Sequence, residues 1–311
     1  TGSGLGGFAG DGRGGFASIE FAMPVAVTGT VASSSNGRGG NGGTNSIGGA
    51  GGTGVGGIAR AVIDNIDAGT IGILLDSSAT GGDGGTGLDG AGGQGGLGQG
   101  GLSIVDVRGT AGRATVTDAN FEATGIGGMG GDAFIRSGSD PRGAPTGGNG
   151  GDGRGGTVQL LATDGAIALG IGRTGNAALS SGGIGGDGGR GADNFGSTTL
   201  PGPDGILGTM DDVVVGFIGG NGGIAGGGIG GTVQLTAIGG AIGSNGAPVF
   251  LSATGQSGDG GPGGDGTGGS GGCCSGFVDQ GGTVILEASN SGTNTGTIRF
   301  GDTSINTDGS V

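Results

Sequence analysis

The sequence predicts an all-β, repetitive fold: a β-solenoid of stacked strand layers whose Gly-rich inserts form a polyglycine-II helix bundle, with essentially no α-helix. Three observations predict it. Gly provides 99 of the 311 residues, short strand-like runs recur six times, and the inserts between the runs are dominated by Gly-Gly-X triplets. Repeats of this kind indicate stacked units, because one such unit cannot bury a hydrophobic face alone.

Each of the six runs follows a Gly-Gly pair and contains small aliphatic and β-branched residues, which is typical of a strand of about six residues. A polar, Gly-containing turn and a second apolar run follow in every unit, so each unit is predicted to be a strand pair. We therefore expect residues 1–311 to form a single elongated repetitive domain of six units. The units start near positions 16, 58, 102, 157, 232 and 283.

The inserts between the units have the three-residue period of a polyglycine-II helix, with side chains along one edge and two bare edges. Bare edges let such helices approach closely and exchange backbone hydrogen bonds, so we expect the inserts to pack on each other. Collagen is disfavoured, because it needs abundant Pro and the chain has only seven. The alternative is flexible low-complexity loops. The inserts span 36–57, 80–101, 124–156, 181–231 and 255–282.

The two ends of the chain also fit the repeat. The last unit and the first 15 residues together span 44 residues, as does the interval from position 58 to position 102. This match favours either head-to-tail association of subunits or excision from a longer repetitive protein.

The composition argues against a conventional enzyme. The chain contains no His, Lys, Trp or Tyr, so His-dependent nucleophilic catalysis and the usual zinc sites lack their residues. Only chemistry based on carboxylates remains. The net charge of −14 offers no basic surface for nucleic acid or anionic lipid, and no apolar run reaches the roughly 18 to 20 residues that cross a bilayer. We expect no enzymatic activity, no nucleic-acid partner and no membrane insertion.

Three carboxylates lie around Gly-bearing turns within the fourth insert. Asp204, Asp211 and Asp212 offer hard oxygen ligands on a tight loop, which suits Ca²⁺, although six to eight oxygens are needed. A solvated acidic turn is the alternative. Apart from this candidate calcium site, we expect no cofactor.

A second acidic pattern, Gly-Gly-X-Gly-X-Asp, ends at four aspartates of the inserts. It is similar to the calcium-binding nonapeptide of RTX β-rolls, but the large aliphatic residue that follows in that repeat is missing and the motifs are not in tandem. We therefore expect these aspartates to occupy X positions of polyglycine helices. They are Asp89, Asp152, Asp187 and Asp265.

The only two cysteines, Cys273 and Cys274, are adjacent. A bond between them would need a strained eight-membered ring, whereas intermolecular disulfides would link neighbouring subunits. Metal capture by the two thiolates is the weaker interpretation.

Two resemblances follow from these motifs. The runs that begin at Thr157 and Thr232, each followed by Gly-Ala-Ile, resemble repeats of filamentous-haemagglutinin-type bacterial surface adhesins, whose fold is a right-handed parallel β-helix. The Gly-Gly-X inserts are similar to the polyglycine-II bundles of snow flea antifreeze protein and of certain phage tail-fibre-tip adhesins. These resemblances imply a surface protein and, for the inserts, ice binding or receptor binding.

The leading hypothesis is a secreted, non-enzymatic structural protein that acts outside the cell or at its surface. It is a fibre subunit or a stretch of a giant surface adhesin, and its main partner is another copy of itself, joined head to tail, with a cell or environmental surface as a further partner. The alternative is a receptor- or surface-recognition module of the phage tail-fibre-tip or ice-binding type. Mixed X residues, rather than a regular Thr array, disfavour ice. An enzyme on a β-helix is the third hypothesis.

Overall fold

A computed structural model describes residues 4–22, 29–136, 143–170, 177–195, 197–203, 205–208, 210–245, 248–266 and 279–310. None of these residues is helical, and no helix within these ranges is long and apolar enough to cross a membrane. Strands and extended segments make up the described chain. The predicted all-β fold is confirmed.

Thirty strands occur in the described residues, many of them only two residues long. The first fifteen are β1 (Gly12–Arg13), β2 (Phe16–Phe21), β3 (Thr30–Ser34), β4 (Gly37–Arg38), β5 (Gly54–Val55), β6 (Ile58–Asp64), β7 (Asp67–Asp76), β8 (Ala79–Thr80), β9 (Gly87–Leu88), β10 (Gly98–Gln99), β11 (Leu102–Arg108), β12 (Arg113–Glu122), β13 (Gly125–Ile126), β14 (Ala133–Phe134) and β15 (Gly153–Arg154). The others are β16 (Thr157–Thr163), β17 (Ala166–Gly170), β18 (Ala177–Ser180), β19 (Gly183–Ile184), β20 (Ser197–Leu200), β21 (Val213–Gly216), β22 (Gly228–Ile229), β23 (Thr232–Ile238), β24 (Ala241–Asn245), β25 (Val249–Ser252), β26 (Gly255–Gln256), β27 (Thr283–Ser289), β28 (Thr297–Arg299), β29 (Thr303–Asn306) and β30 (Gly309–Ser310).

Two parallel sheets form the solenoid. The first has the order β2-β6-β11-β16-β23-β27, so each strand lies beside the corresponding strand of the next unit. The second sheet has nine strands, with β28-β24-β17-β12-β18-β25-β29 in line and β7 joining β12 to β3. Register in the first sheet is continuous from unit to unit; for example, Thr157 pairs with Thr232, and Thr232 pairs with Thr283. This is the parallel stacking of a solenoid.

The second half of a unit contains more strands than the predicted strand pair allows for. Residues that the sequence assigns to turns, at the Gly-Ala-Ile motifs, belong to strands β17 and β24, which pair with each other from Ala166 and Ala241 onward. In the third unit the single long strand β12 pairs with both β17 and β18. The alternation of Ala, Ile and Leu in β17 explains the difference, because Ile167 and Leu169 point into the core and are fully buried.

A single hydrophobic core runs through the stacked units. Inward positions of the first sheet form rows such as Val105, Leu160 and Leu235, all fully buried. Complete burial of such a side chain contributes about 1.5 to 3 kcal/mol. Because most core residues are Ala, Val, Ile and Leu, stability must accumulate over many layers rather than come from a few aromatic anchors.

The corner between the two sheets is a column of residues with left-handed backbone. Asn65, Gly109, Asp164 and Gly239 have φ values of 53°, 76°, 56° and 62°. Each is the corresponding residue of successive units, since the amide of Asn65 donates to Arg108 and that of Gly109 donates to Thr163. Asn, Asp and Gly are the residues that tolerate this conformation. The turn chemistry therefore sets where each unit bends.

Each Gly-rich insert leaves the solenoid as an outgoing segment and comes back as a returning segment. Outgoing segments of successive units lie side by side, and amides three residues apart donate to the next unit. Gly39 donates to Thr80 and Gly42 to Asp83, at 2.9 and 2.8 Å. Returning segments form a second layer by the same rule, as in the 2.8 Å bond from Gly51 to Gln94. This threefold period is that of polyglycine II.

The two layers are joined by the second Gly of each Gly-Gly pair. The amide of Gly52 donates to the carbonyl of Gly40, and Gly82 donates to Gly52, at 2.8 and 2.9 Å. A Cβ at Gly84 would lie 2.0 Å from the carbonyl oxygen of Gly93, so the approach of the layers leaves no room for a side chain. The predicted polyglycine bundle is thus an ordered two-layer assembly.

Candidate interaction surfaces

Only the X residues of the triplets carry side chains on the outside of the bundle. They form rows that run across the units, because the hydrogen bonds keep the same positions of neighbouring segments together. One row of the outgoing layer contains Asn41, Asp83, Met129, Asp187 and Asp259. The rows mix acidic, amide, aliphatic and basic residues, so the surface has no regular chemical array.

Asp and Asn at X positions have a definite structural role. The first and second Gly amides of a triplet are used inside the bundle, which leaves the X amide facing outward. The Asp or Asn of the preceding unit accepts a hydrogen bond from this amide. The pairs are Asp11 with Thr53, Asn41 with Asp83, Asp83 with Met129, Asp89 with Arg136, Asp132 with Arg190, Asn149 with Ile224, Asp152 with Gly227, Asp187 with Asp259 and Asp193 with Asp265.

The four aspartates of the Gly-Gly-X-Gly-X-Asp pattern belong to this system. Asp89, however, has a left-handed backbone with a φ of 74°, so the prediction that it occupies an X position of a polyglycine helix is wrong. Asp89, Asp152 and Asp187 each accept an amide of the next unit, at 2.7, 3.1 and 2.8 Å. Asp265 donates its own amide to Asp193 at 2.7 Å. These hydrogen bonds to the backbone explain why Asp recurs in the inserts, and the explanation does not require a bound cation.

Of the three carboxylates of the predicted calcium site, the structure describes Asp211 and Asp212, whereas Asp204 lies outside the described residues. Asp212 accepts hydrogen bonds from the amides of Gly202 and Gly208, one on each carboxylate oxygen. It thereby closes the loop that connects β20 and β21. No group of three or more His, Cys, Asp or Glu residues able to hold a metal occurs in the described ranges. The calcium site stays a prediction.

Cys273 and Cys274 also lie outside the described residues, and so does the connection from 267 to 278. The disulfide hypothesis therefore stays a prediction.

An ion cluster lies on the outer surface of the first sheet. Asp106 is almost fully buried and binds two guanidinium groups, that of Arg60 at 2.7 Å and that of Arg108, whose Nε lies 3.0 Å from Oδ1. The hydrogen bond and the charge of Asp106 raise the pKa of Arg108. Both arginines remain partly exposed. The cluster ties the second unit to the third and has no free carboxylate for chemistry.

A shallow depression of about 410 Å³ lies between neighbouring returning segments. Its lining includes Gln94, Leu97, Asn149, Asp152 and Arg154. The side-chain oxygen of Asn149 and one carboxylate oxygen of Asp152 already accept hydrogen bonds from amides of the next segment. The depression is a polar groove of the outer face rather than an enclosed pocket.

The hydrophobic core is uncovered at the C-terminal end of the solenoid. Leu286 continues the row of Leu160 and Leu235, but it is 45% exposed where Leu235 is 0% exposed. Ile305 continues the row of Leu251 and is 52% exposed. No described segment covers this last layer. This exposure could not be predicted from the sequence, because the last unit has the same residue pattern as the units whose core positions are buried.

The backbone also ends with unused hydrogen-bonding capacity. At the base of the returning layer a ladder of 2.8 Å bonds runs through the units, from Gly14 to Val55, Gly56 to Gln99, Gly100 to Arg154, Gly155 to Ile229 and Gly230 to Gln280. Gly281 is the next donor, and its amide has no acceptor among the described residues. At the opposite edge, the carbonyl of Arg13 occupies the acceptor position of the first segment. The two ends are complementary in polarity.

The fourth insert differs from the others because it ends in an antiparallel hairpin, β20–β21, in which Ser197 pairs with Gly216 and Leu200 with Val213. Its apolar side chains are exposed: Val214 is 66% and Val213 is 54% accessible. The run of three valines, flanked by Pro, Gly and Asp, is a strand signal in the sequence, and the prediction that the whole insert 181–231 is polyglycine is wrong at this hairpin.

Comparisons with known proteins do not identify a family for this chain. No family model matches the chain, and no curated protein matches it either. A search of solved structures finds a springtail antifreeze protein from Granisotoma rainieri, described as a nine polyproline type II helical bundle whose crystal waters match the ice lattice. The chain is 18% identical to it over 76% of this chain and 93% of that one, with a TM-score of 0.14. At that score the similarity carries no argument about this protein.

Proposed function

We propose that the protein is a secreted, non-enzymatic structural protein that associates head to tail with further copies of itself. It acts as the subunit of an extracellular fibre or as a stretch of a filamentous-haemagglutinin-like surface adhesin. The observation that carries the proposal is the uncovered last layer of the solenoid, where Leu286 and Ile305 extend core rows to the surface.

A second copy is the partner that fits this layer best. If β2 of the next copy lies beside β27, as each first-sheet strand lies beside its predecessor, then Ile19 follows Leu286 in its row and Phe21 follows Ala288. The junction repeats the geometry of the internal interfaces. Burying the exposed parts of Leu286 and Ile305 contributes about 1 kcal/mol each, and exposed strand edges favour such pairing.

The hydrogen bonds of the bundle support the same arrangement. In a head-to-tail pair the free amide of Gly281 meets the carbonyl of Arg13 in the next copy, which continues the returning-layer ladder. Because every rung of that ladder points the same way along the axis, one end offers donors and the other offers acceptors. Head-to-head pairing would bring like groups together, so the association is polar and unlimited in length.

One contact opposes the junction. In the same register Glu287 of one copy follows the row of Glu20 in the next, as Thr236 follows Leu161 within the chain. Two carboxylates side by side on neighbouring strands repel each other. Apolar burial and backbone pairing must exceed this cost, and the cost makes assembly sensitive to charge.

The test is a pair of lysine substitutions on the same strand, followed by sedimentation velocity and electron microscopy. Leu286→Lys places a charge in the core row of the junction and is expected to abolish the fibres and leave small discrete particles. Ile285→Lys places the same charge on the outward face of β27 and is expected to keep the fibres. Equal assembly of the two variants would contradict head-to-tail stacking.

The second candidate is a receptor- or surface-recognition module of the phage tail-fibre-tip or ice-binding type. The polar groove between returning segments, with Gln94, Asn149 and Arg154 along it, favours this function. The mixed rows of X residues argue against ice as the ligand. Saturable binding to a cell surface that is lost in Gln94→Ala would support the receptor-binding form of this candidate, and thermal hysteresis above that of buffer would support the ice-binding form.

A further inference from the structure

The hairpin β20–β21 exposes four large apolar side chains, those of Leu200, Val213, Val214 and Val215. It stands at the end of the fourth insert, and no third strand of the described residues pairs with either of its strands. Side chains on both faces are accessible, with Leu200, Val213 and Val215 on one face and Val214 on the other. A two-stranded hairpin alone is marginally stable in water. Among the described residues the hairpin has no further strand to support it, and a partner strand would stabilise it.

We propose that the hairpins of two copies pair through β21 around a two-fold axis, so that two chains share one four-stranded antiparallel sheet. The pairing is centred on Val214, which lies opposite Val214 of the second copy. Such a pair is isologous and closed, in contrast to the polar head-to-tail contact. If the proposed fibre exists, this contact links neighbouring fibres sideways.

The choice of β21 over β20 follows from the flanking residues. Pro201 comes directly after β20, and Pro203 follows it. Proline lacks an amide hydrogen, so a partner strand along β20 would lose hydrogen bonds at this end. Val213, Val214 and Val215 keep their amides and are strong β-formers. β21 therefore presents the competent edge.

The charges favour a second copy over an anionic partner. No Arg or Lys occurs between residues 191 and 298, so the hairpin itself and the chain that leads into and out of it carry no positive charge. Asp211 and Asp212 immediately precede β21. In the antiparallel pair centred on Val214, Asp212 lies opposite Gly216 of the second copy and Asp211 lies opposite Phe217. The carboxylates of the two copies stand at opposite ends and do not face each other.

The apolar surface also becomes continuous in the pair. Because Leu200, Val213 and Val215 share one face of the hairpin, two copies place six apolar side chains on one face of the four-stranded sheet. Three or more strands with a hydrophobic face are what independent stability requires. The second copy thus supplies what the single hairpin lacks.

The experiment uses the full chain with Leu286→Lys, which removes head-to-tail stacking, and measures the monomer–dimer equilibrium by sedimentation equilibrium. We expect a dimer. Adding Val214→Lys places two like charges opposite each other and weakens the dimer about tenfold or more. Adding Thr199→Lys, which puts the same charge on the neighbouring residue of β20, leaves the dimer intact.

A charge swap separates a lost contact from a damaged hairpin. Val214→Lys and Val214→Glu chains are each expected to be monomeric alone and to form a mixed dimer when combined. A monomeric Leu286→Lys protein at every concentration, equal weakening by Val214→Lys and Thr199→Lys, or no mixed dimer would overturn the proposal. Failure of the fibre proposal gives a different pattern, since chains with native Leu286 would then form dimers and no fibres.

Discussion

The amide of Asp259 donates to Oδ1 of Asp187 at 2.8 Å, so two exposed acidic residues of successive units are joined by a hydrogen bond. Each carboxylate in such a row gives one oxygen to the backbone of the following unit. The carboxylate thus accepts a hydrogen bond from the one amide of a Gly-Gly-X triplet that the backbone hydrogen bonds of the bundle leave unused. It explains how a chain with net charge −14 keeps acidic residues in neighbouring segments.

The first prediction tests this backbone role. Asp187→Ala removes the acceptor and is expected to lower the free energy of unfolding by about 0.5 to 1.5 kcal/mol, the usual net value of one hydrogen bond. Asp187→Asn keeps an acceptor oxygen and removes the charge, so it should restore most of the loss. Thermal unfolding of the two variants distinguishes a role in backbone hydrogen bonding from a role of the charge. A larger loss of stability in Asp187→Asn than in Asp187→Ala would contradict the backbone role.

The second prediction concerns the approach of the two layers. Gly84→Ala places a Cβ 2.0 Å from the carbonyl oxygen of Gly93, and the backbone of the bundle must shift to admit it. Overpacking of this kind costs about 1 to 3 kcal/mol. Thr86→Ala, at an X position in the same segment, is the matched control and should change stability by less than about 0.5 kcal/mol. Chemical denaturation measures both, and a tolerated Gly84→Ala would rule out the close-packed bundle.

The third prediction concerns the ion cluster of Asp106. Asp106→Asn leaves the guanidinium groups of Arg60 and Arg108 without their common carboxylate, although both still reach water. We expect a loss of about 1 to 2 kcal/mol. Asp302→Asn, at an exposed acidic residue of the last unit away from this cluster, is the control and should have a small effect. Equal effects in a denaturant titration would mean that Asp106 acts only through net charge.

The raised pKa of Arg108 gives this cluster a defined pH behaviour. A group whose pKa is raised in the folded state stabilises fully below its unfolded-state pKa and loses that contribution only as the pH rises through the folded-state pKa. Both values lie far above neutrality for Arg. The destabilisation by Arg108→Gln should therefore be the same at pH 6 and pH 9. A difference that disappears at pH 9 would contradict the assignment.

The fourth prediction follows from the repulsion across the proposed junction. Glu287→Gln removes one of the two carboxylates that face each other between Glu287 and Glu20 of the next copy, so assembly should occur at a severalfold lower protein concentration. Asp302→Asn removes a charge from the same last unit outside that row and should change assembly less. Light scattering as a function of protein concentration measures the critical concentration for assembly. Weaker assembly of Glu287→Gln would exclude this register.

The strand layers were predictable because each run carries its own signals. Gly-Gly pairs, β-branched residues and a polar turn mark the starts of β16 and β23 at Thr157 and Thr232, where the structure begins them too. Parallel pairing and the additional strand β17 were not predictable from local pattern. They depend on which positions of successive units lie side by side, and that register is a tertiary property.

The surfaces were less predictable than the fold. The sequence indicates that Asp187 occupies an X position, but not that its oxygen accepts the amide of Asp259, 72 residues away. Likewise, the run from Val213 to Val215 is apolar in sequence, yet only the structure places it on an exposed hairpin. Burial of Leu235 and exposure of Leu286 differ although both occupy the same position of the repeat. Exposure depends on the next layer, which lies outside the local pattern.

The most direct measurement is cryo-electron microscopy of the purified chain, with Leu286→Lys prepared in parallel. Head-to-tail stacking predicts polar fibres whose axial repeat is one chain, with β27 of one copy beside β2 of the next, and dispersed particles for Leu286→Lys. Monodisperse particles of the unaltered chain at high concentration, or fibres in which the solenoid ends do not touch, would contradict it.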